Sequence, residues 1–229
     1  MNELRNICAA YAENLERGQR SALATIVYTR GATKRRAGAR MLIAEDGCTV
    51  GSIIDGCLEA EVIDRAMSVI DSGQPMMLSY DSRLNDDLTW GLGLGSQGVV
   101  EILIERLTDG QANEYIEFLA FCECARTANV LATVIGIASG AQDVRVGDRL
   151  MLSTVGVEYS QIVNITLALQ IEKDALAALA DGRSDTKIYG TSVDAVKVFI
   201  EVIEPPLPKL IFRAGSDAVP VVSFAKELP

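Results

Sequence analysis

The sequence predicts an α/β protein with a mixed sheet, flanking helices and an internal duplication, followed by the first strand and helix of a further α/β unit. Three observations support this prediction. Short β-branched apolar runs alternate with longer segments whose apolar residues recur at helical spacing. The order of these segments in residues 21–107 recurs in residues 129–204. A proline-rich stretch then sets residues 205–229 apart.

The first copy is preceded by an amphipathic helix, which we predict over residues 2–17. A buried strand is predicted over residues 21–29, because this run is apolar and rich in β-branched side chains. A second strand is expected over residues 39–44. The turn residues Glu45-Asp46-Gly47 follow it, and residues 49–53 continue in extended form.

A helix is predicted over residues 56–70, with Asp55 as its N-cap. A short strand over residues 76–80 comes next. A glycine-rich loop over residues 90–98 then leads into an apolar strand over residues 99–105. The loop has no helical or strand periodicity, so we predict irregular backbone between two strands.

The second copy follows a helix predicted over residues 113–125. Residues 130–152 align with residues 22–43, because both contain Leu-Ala-Thr in a strand, then a loop, then Gly-x-Arg before another strand. Both copies also end in an apolar strand that closes with Ile-Glu. Matched elements in one fixed order predict an internal duplication. Arg40, which Arg149 matches, is therefore interpreted as a structural residue.

Three features distinguish the first copy: the run Lys34-Arg35-Arg36, a cysteine at a predicted helix start (Cys57) and the glycine-rich loop. Arginine and the N–H groups of a glycine loop suit a phosphate. A thiolate at a helix start suits a soft metal. Each feature also has a structural interpretation: a solvated loop for the arginines, a small buried hydrophobe for Cys57, and a backbone bend for the glycines.

The last segment divides the chain into an α/β domain over residues 1–204 and a different unit over residues 205–229. This unit has a stiff linker, a predicted strand over residues 209–212, a turn, and a helix from Asp217. That order is the start of a Rossmann-like nucleotide-binding unit. One strand and one helix, however, cannot bury their apolar faces or form a crevice between strands.

The composition excludes several classes of protein. A net charge of −10 argues against a general nucleic-acid binder. No apolar run has membrane-spanning length and no signal peptide is evident, so we expect a cytoplasmic protein that does not enter a membrane. Five scattered cysteines do not resemble a disulfide framework, and the absence of histidine excludes imidazole bases and His-ligated zinc.

Several motifs resemble those of the XdhC/CoxI family of xanthine dehydrogenase accessory proteins, and the resemblance covers nearly the whole chain. The matching residues are Gly31-Ala32-Thr33, Arg36-Ala37-Gly38-Ala39-Arg40-Met41, Gly51-Ser52-Ile53, Gly56-Cys57-Leu58-Glu59, Trp90-Gly91-Leu92-Gly93, Gly98, Pro205-Pro206, Leu210-Ile211-Phe212, Ala214-Gly215 and Asp217-Ala218.

The resemblance implies an accessory protein, not an enzyme, that binds molybdenum cofactor (molybdopterin). As a chaperone it would deliver or mature the cofactor for a xanthine dehydrogenase-type molybdenum hydroxylase. The hydroxylase and a cysteine desulfurase are the implied partners, and we expect a homo-oligomer. The implied cofactor-binding residues are Arg35, Arg36, Cys57, Glu59, Gly91, Gly93, Gly95 and Ser96.

Three positions depart from the family pattern. Asp55 and Arg213 stand where the family has glycine, and Ser96 stands where it often has cysteine. Arg213 blocks the tight turn that brings backbone close to a phosphate, so NAD(P) binding is not expected. Two alternatives to the accessory role stay open: an NAD(P)-dependent oxidoreductase, and a degenerate or truncated member with a structural or interaction role.

Overall fold

The computed structural model describes residues 2–31, 33, 35–53, 57–81, 98–107, 111–206 and 218–227. The helices and strands lie in the following order. They are α1 (Asn2–Glu16), β1 (Ser21–Gly31), β2 (Arg40–Ala44), β3 (Thr49–Gly51), α2 (Cys57–Ser72), β4 (Met76–Asp81), β5 (Gly98–Leu107), α3 (Gln111–Cys124), β6 (Asn129–Ile137), β7 (Arg149–Ser153), β8 (Gly156–Ser160), α4 (Ile165–Asp181), β9 (Asp185–Tyr189), β10 (Val196–Ile203) and α5 (Ala218–Glu227).

The described strands form two antiparallel sheets, in the orders β3-β2-β1-β5-β4 and β8-β7-β6-β10-β9. The predicted α/β class with flanking helices is confirmed. A mixed sheet was predicted, whereas every strand pair in these two sheets is antiparallel. In each sheet the first three strands in the chain run antiparallel to one another in turn. Helix α2 or α4 then returns the chain to the opposite end of the sheet, and the last two strands are again antiparallel to each other.

The first half (residues 2–107) and the second half (residues 111–203) have the same order of elements. Their registers also agree: Thr25 lies opposite Arg40 in the first half, and Thr133 lies opposite Arg149 in the second. Each half is longer than the predicted copy by one helix at its start: α1 precedes β1 in the first half, and α3 precedes β6 in the second. Residues can therefore be matched between the halves one by one.

The apolar core is divided by the two sheets into layers. The outer face of the first sheet packs against α2, and the outer face of the second packs against α4. The inner faces meet through one buried side chain from each of the four central strands. These side chains are Val27, Leu103, Ile135 and Phe199. Helices α1 and α3 pack against each other and cover the remaining apolar part of the inner faces.

Two buried ion pairs join the halves at matched positions. Arg40 of β2 donates to Glu201 of β10 over 2.9 Å from Nη1 to Oε1, and Arg149 of β7 donates to Glu105 of β5. The four side chains are only 5–12% exposed. Tyr115 of α3 lies between the arginines: its hydroxyl accepts from Arg40 Nε over 3.2 Å, and its ring lies 3.9 Å below the Arg149 guanidinium.

The interpretation of Arg40 as a structural residue agrees with these contacts. Arg40 also donates to the carbonyl oxygen of Gly38 over 2.8 Å, and Arg149 makes the same bond to Gly147 over 2.7 Å. Burial by itself lowers the pKa of Arg40. The negative charge of Glu201 and the hydrogen bonds to Glu201 and Tyr115 outweigh it, so the pKa lies above its ordinary value.

A third ion pair joins the halves where the central strands are more accessible. Lys197 of β10 donates from Nζ to Glu101 of β5 over 2.6 Å, and the same Nζ lies 5.2 Å from the ring centre of Tyr28. Glu101 and Lys197 also occupy matched positions. Each lies next to the bulge in its sheet, where Glu101 pairs with Tyr28 of β1 and Lys197 pairs with Gly136 of β6.

The end of the chain is described only in part. Helix α5 agrees with the helix predicted from Asp217, and its Val219, Val221, Val222 and Phe224 are exposed. The predicted strand over residues 209–212 and the turn containing Arg213 lie outside the described residues. No helix within the described ranges is long and apolar enough to cross a membrane.

Candidate functional site

The predicted binding motifs converge at one end of the first sheet. Gly31, where the basic loop leaves β1, pairs with Gly98, and Asp81 at the end of β4 pairs with Val99. Both ends of the segment 82–97, which contains the glycine-rich motif, therefore lie beside the start of the basic loop.

Helix α2 also begins at this end of the sheet. Its last turn lies at the opposite end, because the Ile70 carbonyl oxygen accepts from Arg20, just before β1 begins, and from Arg106 near the end of β5. Cys57 is the first residue of the helix. The basic loop, the helix start and the boundaries of the glycine-rich segment thus share one location.

Arg35 holds the basic loop in place through contacts within the protein. Its Nε donates to the Ser52 carbonyl oxygen over 2.9 Å, and its Nη2 donates to the carboxylate of Glu3 on α1. The same Glu3 oxygen accepts from the Ser52 N–H over 3.0 Å. Glu3 therefore ties the basic loop to the connection that leads from β3 to α2. Nothing in the sequence pattern identified Glu3, and Ser52 was named only as part of the family-like motif Gly51-Ser52-Ile53.

Arg36 is exposed, and its side chain forms no hydrogen bond or ion pair with the described part of the chain. Its matched residue in the second half is Arg145, which is also exposed. In both copies the N–H three residues later donates to the carbonyl oxygen of this arginine. The interpretation that the cationic run belongs to the first copy alone is therefore wrong for Arg36, and holds for Lys34 and Arg35.

The remaining predicted residues are placed less completely. Glu59 lies in the first turn of α2 and is half-buried. The side chain of Cys57 is outside the description, as are Gly91, Gly93, Gly95 and Ser96, which lie in the segment 82–97.

The matched location in the second half contains a cleft of about 460 Å³. It lies at the start of α4, between the loop after β6 and the end of β9. Thr166, Gln170 and Tyr189 line it, and they match Cys57, Glu61 and Tyr80 of the first half. The loop part of the lining, Gly140 to Val144, matches Gly31 to Arg35.

Glu61 and Tyr80 form a coupled pair in the first half that none of the predicted motifs includes. Burial, and then the negative charge of nearby Glu61, raise the pKa of Tyr80 to about 12. Oε1 of Glu61 lies 3.6 Å from Arg65 Nη2. A hydrogen bond between the Tyr80 hydroxyl and the Glu61 carboxylate contributes to the same rise in the pKa of Tyr80. The four-residue spacing from Cys57 to Glu61 is the sequence feature that could have identified this carboxylate.

The chain is similar to several known proteins. The model of the XdhC and CoxI family matches residues 14–81, which include β1, the basic loop and α2. Over 215 residues, 93% of its length, the chain is 28% identical to a Bacillus subtilis (strain 168) protein whose name describes it as a probable xanthine dehydrogenase subunit. These two matches support membership of the chain in the XdhC and CoxI family.

Two further similarities are consistent with this XdhC/CoxI membership. The molybdenum cofactor insertion chaperone PaoD of Escherichia coli (strain K12) is 34% identical over 76 residues, 33% of this chain and 24% of PaoD. A crystal structure of a xanthine dehydrogenase from Bacillus halodurans matches with a TM-score of 0.66 at 23% identity, over 96% of this chain and 59% of that one, which supports the fold. The chain spans 58% of the length of its B. subtilis relative.

A larger cleft, about 570 Å³, lies between the halves and is lined by Arg106, Arg145 and Arg149. Two of these arginines are engaged within the protein, because Arg149 pairs with Glu105 and Arg106 donates to the Ile70 carbonyl oxygen. The cleft therefore offers fewer free donors than its arginine content suggests. No group of three or more potential metal ligands occurs among the described residues.

The other cysteines differ in exposure. Burial, and then the negative charge of Glu123, raise the pKa of the Cys8 thiol to about 11. Burial, and then Glu201, raise the pKa of Cys122 to about 12. Cys48 and Cys124 are exposed. Thiolate chemistry at neutral pH is therefore not expected at Cys8 or Cys122.

Alkylation should separate these thiols. At pH 8 we expect iodoacetamide to label Cys8 about 100-fold more slowly than an ordinary exposed cysteine, and Cys122 about tenfold more slowly again, because so little of each is thiolate. Mass spectrometry of tryptic peptides measures the rates. In a Cys48→Ser/Cys124→Ser variant the remaining fast labelling then reports Cys57, and a Cys57→Ala background is the control. Rapid labelling of Cys8 or Cys122 in the folded protein would contradict this expectation.

Proposed function

We propose that this chain binds molybdenum cofactor and delivers it to a xanthine dehydrogenase-type molybdenum hydroxylase, without catalysing a reaction itself. One observation carries the proposal: the basic loop, the start of α2 at Cys57 and both ends of the glycine-rich segment meet at one end of the first sheet. The relationship to PaoD, a molybdenum cofactor insertion chaperone by name, supports the choice of ligand.

The residues present fit the chemical parts of this cofactor. The cofactor supplies a metal held by sulfur, together with a polar fused ring and a phosphate. The thiol of Cys57 suits the metal. The matched cleft in the second half, about 460 Å³, is within the usual range for small-molecule sites.

The phosphate would be bound differently from the sequence-based expectation. The donors of Arg35 are already used by Glu3 and Ser52, so Arg35 would position the loop. Arg36 and the N–H groups near Gly91, Gly93 and Gly95 then remain as phosphate donors. Glu59 would lie at the helix start beside the metal end, and Ser96 would be a weaker contact to a soft metal than a cysteine.

The partners follow from the same proposal. The hydroxylase would receive the cofactor, a cysteine desulfurase would supply sulfur, and self-association of the chain would bring two sites into one assembly. For the alternative NAD(P)-dependent oxidoreductase we find no supporting contact among the described residues, and Arg213 at the predicted turn argues against it.

Retention of the cofactor tests the proposal. Purified protein is mixed anaerobically with molybdenum cofactor and passed through a gel-filtration column, and the bound pterin is oxidised and measured by fluorescence. We expect the wild type to retain the cofactor and Cys57→Ala to reduce its affinity at least about tenfold, because a metal–thiolate contact is lost. Cys48→Ala, which removes an exposed thiol on the β2–β3 turn, is the matched control.

The outcomes separate the remaining interpretations. A wild type that retains nothing overturns the proposal and favours a degenerate family member, especially if Asp55→Gly, which restores the family glycine, creates binding. Retention that is equal in the wild type and in Cys57→Ala leaves a binding protein but refutes the role of the thiol.

A further inference from the structure

We propose that the cleft between the two halves is a second binding site, which takes a phosphate group through the guanidinium groups of Arg106 and Arg145. The ligand is inorganic phosphate or the phosphate of a small ester. This site is separate from the one at Cys57. Residues 73–75, which follow the last turn of α2, line the cleft, whereas Cys57 begins that helix.

The size and charge of the cleft suit a small anion. Its volume of about 570 Å³ is within the usual range for small-molecule sites. Its charged lining residues are Arg106, Arg145, Arg149, Glu105 and Asp148. Glu105 already pairs with Arg149, and Oδ2 of Asp148 accepts from a backbone N–H over 2.7 Å. Three cations therefore face two carboxylates among the described lining residues, in a protein whose net charge is −10.

The charge of Arg106 is poorly compensated within the protein. Its Nη1 donates to the Ile70 carbonyl oxygen over 3.2 Å, and its Nε is buried without an acceptor among the described residues. No carboxylate of the described ranges pairs with this half-buried side chain, and Asp71, next to Ile70, pairs with Arg20 over 3.1 Å. A partly buried cation without a counter-ion is costly, and an anion in the cleft would offset that cost.

The matched place beside Arg40 has no such cation. Val202 stands at the position of Arg106, since each follows the glutamate that pairs with an arginine of the other half. The ion pair of Arg40 forms without a cation there, so the fold itself does not require Arg106. The tyrosine between the arginines also satisfies only one of them: Tyr115 accepts from Arg40 Nε, whereas the buried Nε of Arg149 has no acceptor in the described part of the chain.

Gly73 makes room for the guanidinium of Arg106. Its φ is +70°, and an added Cβ would lie 2.8 Å from Arg106 Nη2 and 2.9 Å from Arg106 Cζ. Gly182, at the matched end of α4, has a φ of +64° and no atom within 4 Å of an added Cβ. Both glycines follow the last turn of a helix, but only Gly73 also determines where an arginine lies.

The free donors of the two arginines indicate the class of ligand. Nη2 of Arg106 and the exposed side chain of Arg145 form no hydrogen bond within the described residues. The paired N–H groups of a guanidinium match the oxygens of a phosphate, and hydrogen bonds between charged groups are stronger than neutral ones. A phosphate has enough oxygens to accept from both arginines, and its negative charge balances the excess positive charge of the cleft.

Isothermal titration calorimetry tests the inference with inorganic phosphate, AMP and adenosine, in about 0.1 M NaCl to screen exposed charges. We expect the wild type to bind at least one of the two phosphate probes and not adenosine. The tighter of the two shows whether the ligand is the free anion or an ester. Arg106→Gln should weaken that probe at least about tenfold, because hydrogen bonds between charged groups are lost. Arg17→Gln, which removes an arginine that is 66% exposed, is the control and should change it less than about twofold.

Gly73→Ala is an independent variant, and Gly182→Ala is its matched control. Both substitutions carry the same backbone penalty, but only the one at residue 73 forces Arg106 to move. Gly73→Ala should weaken the tighter probe at least about threefold, because hydrogen bonds weaken steeply when their geometry is disturbed. Gly182→Ala should leave its affinity unchanged. This pair decides the question if Arg106→Gln does not fold by circular dichroism.

A wild type that binds neither phosphate nor AMP would overturn the inference. Equal affinity of the tighter probe for the wild type and Arg106→Gln, or for Gly73→Ala and Gly182→Ala, would do the same. Adenosine that binds as tightly as AMP would show that the phosphate is not recognised. These outcomes are independent of the proposed function, because no probe carries a metal or a pterin. Arg106→Gln should retain molybdenum cofactor as the wild type does, and a loss would contradict the separation of the two sites.

Discussion

Glu201→Ala should lower the free energy of unfolding by about 3–5 kcal/mol, because it leaves the buried guanidinium of Arg40 without its charge partner. Both side chains are less than a tenth exposed, so water cannot replace the lost carboxylate. Glu105→Ala should have a similar effect through Arg149. Urea denaturation followed by circular dichroism measures both.

The matched control for this prediction is an exposed ion pair. Glu13→Ala removes the contact with Arg17, whose side chain is 66% exposed, and should cost no more than about 0.5 kcal/mol. An Arg40→Met/Glu201→Leu double variant should recover most of the lost stability, because apolar side chains of similar volume do not need charge partners. A Glu201→Ala variant that loses less than about 1 kcal/mol would show that Arg40 finds other compensation.

Gly51→Ala should destabilise the protein by roughly 3 kcal/mol or more, for two separate reasons. Its φ of +86° is a conformation that alanine adopts poorly. An added Cβ would also lie 2.5 Å from the Arg40 carbonyl oxygen and 3.1 Å from Ile7 Cδ1. The first contact is with backbone, so β2 or β3 must move to relieve it.

Gly47→Ala is the control that isolates the steric part. Gly47 has nearly the same φ, +85°, but an added Cβ would have no atom within 4 Å. The substitution should cost about 1 kcal/mol, which is the effect of the backbone conformation alone. Equal losses in the two variants, measured by urea denaturation, would mean that β3 moves freely at Gly51. Because Ser52 follows and binds Arg35, Gly51→Ala should also weaken molybdopterin retention.

Much of the fold could be predicted from local patterns. The β-branched runs of β1 and β6 identified the central strands, because a strand that is buried on both faces needs apolar residues throughout. The arrangement of the strands could not be predicted in the same way. Apolar periodicity specifies which face of a strand is buried, but it does not specify the direction of its neighbour. The mixed sheet was expected for this reason.

The candidate site was predictable only in its sequence-local parts. The basic loop and Cys57 are recognisable as runs of residues, whereas Glu3 reaches Arg35 across 32 positions and leaves no local pattern. Arg145 was overlooked because it stands alone between valines, while Arg36 belongs to a dense cluster of cations. Contacts between distant segments depend on packing, which a single sequence does not display.

The ion pairs between the halves also affect which halves can associate with each other. Each half contributes one arginine and one glutamate at matched positions, so two identical halves could in principle associate as an isologous dimer. The charges of Glu101 and Lys197 make the association of two identical halves unfavourable. Two first halves would bring two Glu101 carboxylates together, and two second halves would oppose two lysines. These charges therefore favour the pairing of a first half with a second half, and a single chain makes this pairing internally. The same charges disfavour the pairing of identical halves from two different chains.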